Sequence, residues 1–273
     1  MKTLLQKLSA IVVVLDLTGG MAFAAANASD TAANYVGTWS TNSANLGHGF
    51  GAWNNLALNN NSPPYAGTFL DQTSNIHNSD GVLSAGYAWS TYANGPQPPQ
   101  YPEFILSRPF TVGAGGTASL FNQTFSIGLG SQSLTSGSIA LDVGAAFSLG
   151  YTAGGPDNFT LSVDGGAGAV VPVTFAQLHA GILVSLTVTG ALNSTSEGYT
   201  LVISPFAGGS PLYTTSGTFN SADFDTASFS FITIDTSGDQ FINNPTIVPE
   251  PSGAAMLGCG LLVLVAAKFR MTK

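Results

Sequence analysis

The residues that could carry out chemistry in this 273-residue chain are few, and the carboxylates come first. Hydrolysis of a glycosidic bond with retention needs two carboxylates about 5 Å apart. The glutamates are Glu103, Glu197 and Glu250, and no E-x-D-x-x-E motif links a pair of acids on one strand. Asp223 and Asp225 share one strand face at i, i+2 spacing, but no glutamate partners them. We interpret this pair as flanking a turn and predict no catalytic residue.

Nucleophile, metal and phosphate sites are equally hard to find. The sequence has no G-x-S-x-G elbow, and His48, His77 and His179 have neither triad nor zinc-ligand spacing. Residues 235–239 alternate oxygen donors around a glycine as a calcium loop does, but the later glutamate is missing and the segment fits a hairpin turn. The glycines at 113–116 precede neither a lysine nor a helical pattern, so they form no phosphate cradle. We therefore predict a protein that is not an enzyme and that has no metal or cofactor.

Aromatic side chains offer one other kind of site. The three tryptophans, Trp39, Trp53 and Trp89, all lie in the first half of the chain, where several tyrosines accompany them. In the glycan-contact interpretation, these rings are exposed and bind sugar rings together with Asn and Asp side chains. Alternatively the tryptophans fill the core, because their large area supplies burial. We favour the core and keep the glycan platform as the alternative.

Charge narrows the possible partners. Charged residues make up only 7% of the chain, and the segment from Asn27 to Ser252 holds thirteen acids but a single cation, Arg108. A polyanion cannot neutralise phosphates and gains nothing from an anionic membrane surface. Nucleic acids and acidic lipids are therefore excluded as partners of this segment.

Short alternating runs between Gly, Asn and Asp turns dominate the chain after residue 117. Period two with β-branched and aromatic residues is typical of half-buried antiparallel strands. The clearest runs are 139–143, 159–163, 182–188, 199–203 and 229–234. The proline-rich stretches 59–64 and 95–102 are expected to be surface loops, because proline removes ladder donors. The sequence predicts an all-β fold, an antiparallel two-sheet sandwich, with one helical turn at 175–178.

The N-terminus has the order of a secretory signal peptide. Lys2 and Lys7 precede an apolar run over 8–17, and small residues follow it. We predict a signal peptide over 1–26 and a mature N-terminus between Ala25 and Ser29.

The C-terminus has the order of a membrane anchor. The uncharged run 253–267 contains the only cysteine, Cys259, and is followed at once by Lys268, Arg270 and Lys273. A helix through residue 269 would be about 25 Å long, and snorkelling cations can cover its mismatch with a ~30 Å hydrocarbon core. We predict a transmembrane helix over 253–267 and a basic cytoplasmic tail over 268–273, with the preceding domain outside.

The motif Pro249-Glu250-Pro251 stands directly before this helix. A Pro-Glu-Pro motif, a short Gly/Ala/Leu helix and a basic tail at the chain end resemble the PEP-CTERM sorting signal of Gram-negative bacteria. The resemblance implies that an exosortase, a membrane cysteine protease, recognises Pro249, Glu250 and Pro251 after export and cleavage by signal peptidase. It also implies a host that makes exopolysaccharide.

Four further stretches resemble the concanavalin-like jelly-roll cores of many PEP-CTERM proteins: 47–53, 107–110, 157–161 and 241–244. This likeness spans most of residues 35–247 and implies two packed antiparallel sheets without a particular activity. We expect an exported β-sandwich over 27–243 and a linker over 244–252.

The function that these observations favour is that of a non-catalytic surface or extracellular-matrix protein associated with exopolysaccharide. It would first be anchored in the inner membrane and then, after processing, lie at the cell surface or outside the cell. The alternative is a lectin-like glycan-binding module, and a glycan-processing enzyme ranks third.

Overall fold

The computed structural model describes residues 28–39, 45–58, 65–72, 81–83, 85–94, 101–110, 123–189, 197–220 and 228–249. The described sandwich belongs to one compact unit, Asn27–Val248. The predicted signal peptide, the helix over 253–267 and the basic tail lie outside the described residues. Among the described residues, no helix is long and apolar enough to cross a membrane.

The described part of the chain is built from β-strands. The short helix α1 is Phe175–His179, at the position where a helical turn was expected, and a 3₁₀ turn covers Ala32–Tyr35. The strands are β1 Ala28–Ser29, β2 Asn54–Leu58, β3 Ala66–Gln72, β4 Tyr87–Ala93, β5 Glu103–Pro109, β6 Gln123–Ser131, β7 Ser138–Val143, β8 Phe147–Thr152, β9 Phe159–Val163, β10 Ala169–Val171, β11 Ile182–Thr189, β12 Glu197–Pro205, β13 Tyr213–Phe219, β14 Ser228–Ile234 and β15 Gln240–Pro249.

The strands form two antiparallel sheets that face each other in a sandwich. One sheet has seven strands in the order β10-β9-β8-β7-β14-β5-β2. The other contains the run β1-β15-β4-β3, with β6 paired to β15, and the run β11-β12-β13. Strand β11 lies beside β6, since the Thr124 and Thr187 hydroxyls are 2.7 Å apart and those of Ser126 and Ser185 are 2.9 Å apart. The predicted all-β sandwich is confirmed, and the five clearest alternating runs are β7, β9, β11, β12 and β14.

The core lies between the two sheets and is filled by alternate residues of facing strands. Phe229 and Phe231 on β14 are completely buried, and the ring of Phe125 on β6 lies 5.3 Å from that of Phe229. The hydroxyls of Thr91 on β4 and Thr233 on β14 are 2.7 Å apart, so one buried polar contact also joins the sheets.

The two ends of the sandwich domain pair with each other. Ala28 lies opposite Ile247 and Ser29 opposite Thr246, and the side chain of Ala28 is completely buried. The domain thus includes residues before 35, where the concanavalin-like resemblance begins. Residues 244–249, which the sequence assigns to a linker, continue β15. The reason is that pairing with β1 satisfies backbone groups here, a long-range contact that local composition does not reveal.

Candidate functional site

Two of the three tryptophans are core residues, and the structure contradicts the glycan platform at both. Trp89 is 0% exposed and Trp53 is 3% exposed, with ring centroids 4.8 Å apart. Trp39 is half-buried, and its ring lies 6.1 Å from that of Trp53 and 5.4 Å from that of Tyr35. Sugar stacking needs an open ring face, so Trp53 and Trp89 cannot supply one without unfolding.

Arg108, the single cation between Asn27 and Ser252, is buried beside this aromatic cluster. Its guanidinium carbon lies 4.8 Å from the Trp53 ring centroid and 4.9 Å from that of Phe50. Its Nε donates to the carbonyl oxygen of Gly51 at 2.7 Å, and its Nη2 donates to Asn45 Oδ1 at 2.7 Å. These contacts fix the guanidinium inside the sandwich and keep it away from any ligand.

Asp30 neutralises Arg108, and the sequence pattern gave no sign of this role. Arg108 Nη1 donates to Asp30 Oδ2, and both side chains are completely buried. The Tyr35 hydroxyl donates to the same oxygen at 2.6 Å, while Asn34 Nδ2 and the backbone N–H of Thr31 donate to Oδ1. Burial first, and then the bond to Asp30, raise the pKa of Tyr35, so its phenol stays a donor. The ion pair is enclosed by the protein and stabilises the fold.

The other chemistry candidates from the sequence are occupied or lie outside the described residues. His179 Nδ1 lies 2.7 Å from the carbonyl oxygen of Ser131, and His48 pairs through its backbone with Ser29. In the segment 235–239, Ser237 Oγ accepts from the backbone of Thr135. No group of three or more His, Cys, Asp or Glu side chains in the described part of the chain could hold a metal ion. His77, Asp223, Asp225 and the glycine-rich segment 113–116 lie outside that part.

The predicted sorting motif begins at the end of β15. Pro249 is the last residue of β15, and Glu250 and Pro251 lie outside the described residues, as do Lys268, Arg270 and Lys273. The predicted recognition element therefore begins with the last residue of the final strand.

The most distinctive exposed feature is a polar row on the outer face of the seven-stranded sheet. Asp142 on β7 lies opposite Ser230 on β14 and opposite Ser148 on β8. Register partners point their side chains to the same side of a sheet, and this side is half-buried or exposed along the whole row. The members of this serine row are Asn54, Ser107, Ser230, Asp142, Ser148 and Ser162. With strands about 4.8 Å apart, it extends about 24 Å.

An aliphatic row runs beside the serine row, two residues further along each strand and about 6.8 Å away. Its members are Leu56, Ile105, Ile232 and Ala140, on the adjacent strands β2, β5, β14 and β7. The Leu56 side chain is 50% exposed. The face thus offers a strip of C–H surface next to a strip of hydroxyl, amide and carboxylate groups.

Asp142 is the only charged side chain in the serine row, and among the residues that the structure describes no cation faces it. Burial raises the pKa of Asp142, and the hydrogen bond from the Ser148 hydroxyl lowers it in part. Arg108 is the single cation between Asn27 and Ser252, and it is buried on the opposite side of the sheet with Asp30. A half-desolvated carboxylate without a cation costs stability, which is typical of a functional position.

Replacing Asp142 with asparagine is expected to raise the melting temperature at neutral pH. The raised pKa means that the native state destabilises the carboxylate, so stability falls as the pH rises from the ordinary aspartate value through the native pKa. The increase in melting temperature caused by Asp142→Asn should therefore be largest at neutral pH and disappear well below the ordinary aspartate pKa. Thermal melts across this pH range measure it. Ser230→Ala is the control, because it removes a neighbouring polar group that does not titrate. A less stable Asp142→Asn at neutral pH would contradict the expected cost.

Comparisons with known proteins find only distant structural similarity. No family model matches the chain, and no curated protein matches it. The binding domain of botulinum neurotoxin serotype D has a TM-score of 0.38 at 10% identity, over 76% of this chain and 50% of that one. This chain thus spans half the length of that domain. The CBM2 module of the evolved Dit of Lactobacillus casei BL23 phage J-1 has a TM-score of 0.38 at 11% identity, over 71% of this chain and 94% of that one.

A legume lectin-like domain from Entamoeba histolytica has a TM-score of 0.38 at 8% identity, over 66% of this chain and 87% of that one. Likeness at this level carries no argument about function, so the function has to be argued from this chain's own residues.

Proposed function

We propose that this chain is an exported, non-catalytic surface or matrix protein that holds a neutral exopolysaccharide against its serine row. The observation that carries this proposal is Asp142, a half-desolvated carboxylate without a cation in the middle of an otherwise uncharged polar row. Sorting through Pro249, Glu250 and Pro251 would deliver the protein to the matrix.

The two neighbouring rows match the two kinds of surface on a sugar ring. Sugar hydroxyls donate to a carboxylate in charge-assisted hydrogen bonds, which are stronger than bonds between neutral groups. The serine hydroxyls can both donate and accept, and the C–H faces of the rings can cover Leu56, Ile105 and Ile232. The absence of a cation on this face disfavours an acidic polysaccharide, because thirteen acids in the exported segment would repel it.

Binding without cleavage is supported by the isolation of Asp142. Glu103 lies on the same face, but four residues and two strands away, which places its backbone about 17 Å from that of Asp142. Both glycosidase mechanisms need a closer pair of carboxylates. Asp157 accepts from the Tyr151 hydroxyl and from the backbone of Phe175, so it holds the fold together. A lectin-like module that acts without the matrix role remains the alternative and would use the same face.

Processing gives one test of the sorting part of the proposal. In an exosortase-positive host the secreted protein is expected to begin between Ala25 and Ser29 and to lack residues 268–273. A start at Asn27 would keep the buried Ala28 of β1. Intact-mass measurement decides this, and a secreted product that still carries the basic tail would contradict sorting.

Changing the motif gives the matching genetic test. Glu250→Ala together with Pro251→Ala leaves Pro249 and β15 intact, so the sandwich should fold normally. The variant should nevertheless stay in the inner-membrane fraction instead of reaching the matrix. Cell fractionation measures this, and Ser252→Ala is the control that should be sorted like the unchanged protein.

A further inference from the structure

Strand β13 ends its sheet, and it pairs regularly with β12 along its whole length. Its register with β12 runs from Tyr213 opposite Ile203 to Phe219 opposite Glu197, without a bulge. In the described part of the chain no strand pairs with its other side. A terminal strand can pair through its outer backbone N–H and C=O groups, and in β13 the exposed part lies within residues 214–218.

Features that usually protect an edge strand are missing from β13. Its sequence, Tyr-Thr-Thr-Ser-Gly-Thr-Phe, has no charge and no proline. Other strands that end a described sheet are less suitable for pairing: β10 has three residues, β2 has five, and β3 contains Asp71. Lysine, the commonest guard of natural edges, does not occur between Asn27 and Ser252.

The middle of β13 is open on both faces. Thr214, Ser216 and Thr218 on the outer side are exposed, and on the inner side Thr215 is half-buried and Gly217 is exposed. By contrast, the inner residues of β12, such as Leu201 and Ile203, are buried. The opposite sheet therefore covers Phe219 at the end of the strand, which packs against Phe147 of β8, but leaves the middle of the strand open to a partner.

Charge identifies a second copy of this chain as a suitable partner. Two copies of a domain with twelve acids and one buried cation repel each other unless few carboxylates lie at their contact surface. Strands β11, β12 and β13 carry one acid, Glu197, which is 2% exposed. The exposed carboxylate of Asp164 lies beyond the end of β13, where it accepts from the backbone N–H of Asn220 at 2.8 Å. The outward side chains of these strands are uncharged and mostly hydroxyls: Leu183, Ser185, Thr187, Thr189, Gly198, Thr200, Val202, Ser204, Thr214, Ser216 and Thr218.

We propose that β13 pairs antiparallel with β13 of a second copy across a two-fold axis. Antiparallel self-pairing brings Thr, Ser and Gly opposite Thr, Ser and Gly, so no like charges meet. The hydroxyl-rich surfaces of the two copies then form one continuous sheet face. The serine row lies on the other sheet and is not used, so the pairing does not depend on the proposed polysaccharide binding.

The test is sedimentation equilibrium of the full-length chain in detergent over a wide concentration range. The unchanged protein is expected to form a dimer. Ser216→Lys places like charges near each other across the two-fold axis and should raise the dimer dissociation constant at least about tenfold. Ser216→Glu should do the same, since the repulsion does not depend on sign. Thr200→Lys, on the same face but one strand inside the edge, is the matched control and should change the constant less than about threefold.

The folding and association of the Ser216 and Thr200 variants together test β13 pairing. Ser216 is exposed, so its variants should keep the circular dichroism spectrum and the melting temperature of the unchanged chain. A dimer that both charged Ser216 variants weaken, and that the Thr200 control leaves intact, supports β13 pairing. The proposal would be overturned if the protein stays monomeric up to its solubility limit, or if Ser216→Lys leaves the dimer dissociation constant unchanged. Equal weakening of the dimer by Thr200→Lys would also overturn it.

Discussion

Replacing Arg108 with methionine is expected to lower the free energy of unfolding by about 3–5 kcal/mol, because it leaves the buried carboxylate of Asp30 without its cation. Methionine preserves much of the side-chain volume between Phe50 and Trp53, so the loss reports the charge more than a cavity. Total stabilities of about 5–15 kcal/mol are usual for domains, so this one change removes a large share. Chemical denaturation at neutral pH measures it.

A second variant separates the unpaired charge from the lost hydrogen bonds. Adding Asp30→Asn to Arg108→Met removes the orphaned carboxylate, so the double variant should be more stable than Arg108→Met alone. The single amide oxygen of asparagine can still accept from the backbone N–H of Thr31, which keeps part of the network. If Arg108→Met costs less than about 1 kcal/mol, or if the double variant is the less stable of the two, the buried ion pair does not stabilise the fold in this way.

Trp89→Ala is expected to destabilise the domain by about 3–5 kcal/mol, the cost of a large cavity in a packed core. Trp89 is completely buried and contacts Tyr35, Trp39 and Trp53 with ring centroids 4.8–6.2 Å apart. Trp39→Ala removes a half-buried ring of the same cluster and should cost less. Denaturation curves of both variants and of the unchanged protein give the comparison.

The same variants test whether tryptophans contact glycan. A platform residue would lower polysaccharide affinity by about 1–3 kcal/mol when replaced and leave the fold intact. The buried cluster predicts the opposite for Trp89→Ala, a loss of stability. A fully stable Trp89→Ala protein with weakened polysaccharide binding would restore the platform interpretation.

The strands with aliphatic and aromatic alternation could be predicted from the sequence, and others could not. In β14, Phe229 and Phe231 alternate with smaller outward residues, so period two is plain. In β4 the inward positions include Trp89 and Thr91, and Thr91 is buried because it meets Thr233 of the facing sheet. Strand β13 has mostly Thr, Ser and Gly, which resemble a loop until pairing with β12 fixes them. Period-two patterns fail where long-range contacts decide which polar residues are buried.

The sequence indicated single residues of the candidate site but not how they come together. Charge counting singled out Arg108, but its partner Asp30 lies 78 residues away in sequence. Asp142 stood out only as one polar residue in an alternating run. Its importance depends on the strand order β5-β14-β7, which brings Ser107 and Ser230 into line with it. Strand order is a property of the whole fold, so no local motif could have revealed the serine row.

The most direct test of the proposed function is the affinity of the protein for the neutral fraction of its host's own exopolysaccharide, measured by calorimetric titration with and without Asp142→Asn. Losing a hydrogen bond to a charged group costs about 1.5–3 kcal/mol, so the variant should bind at least about tenfold more weakly. It should keep its fold and leave the polysaccharide uncleaved. Glu103→Gln makes the same charge change on the same face outside the serine row and should alter the affinity less than about twofold. If Asp142→Asn binds as tightly as the unchanged protein, or if the unchanged protein does not bind the polysaccharide or cleaves it, the serine row is not the binding site of a matrix protein.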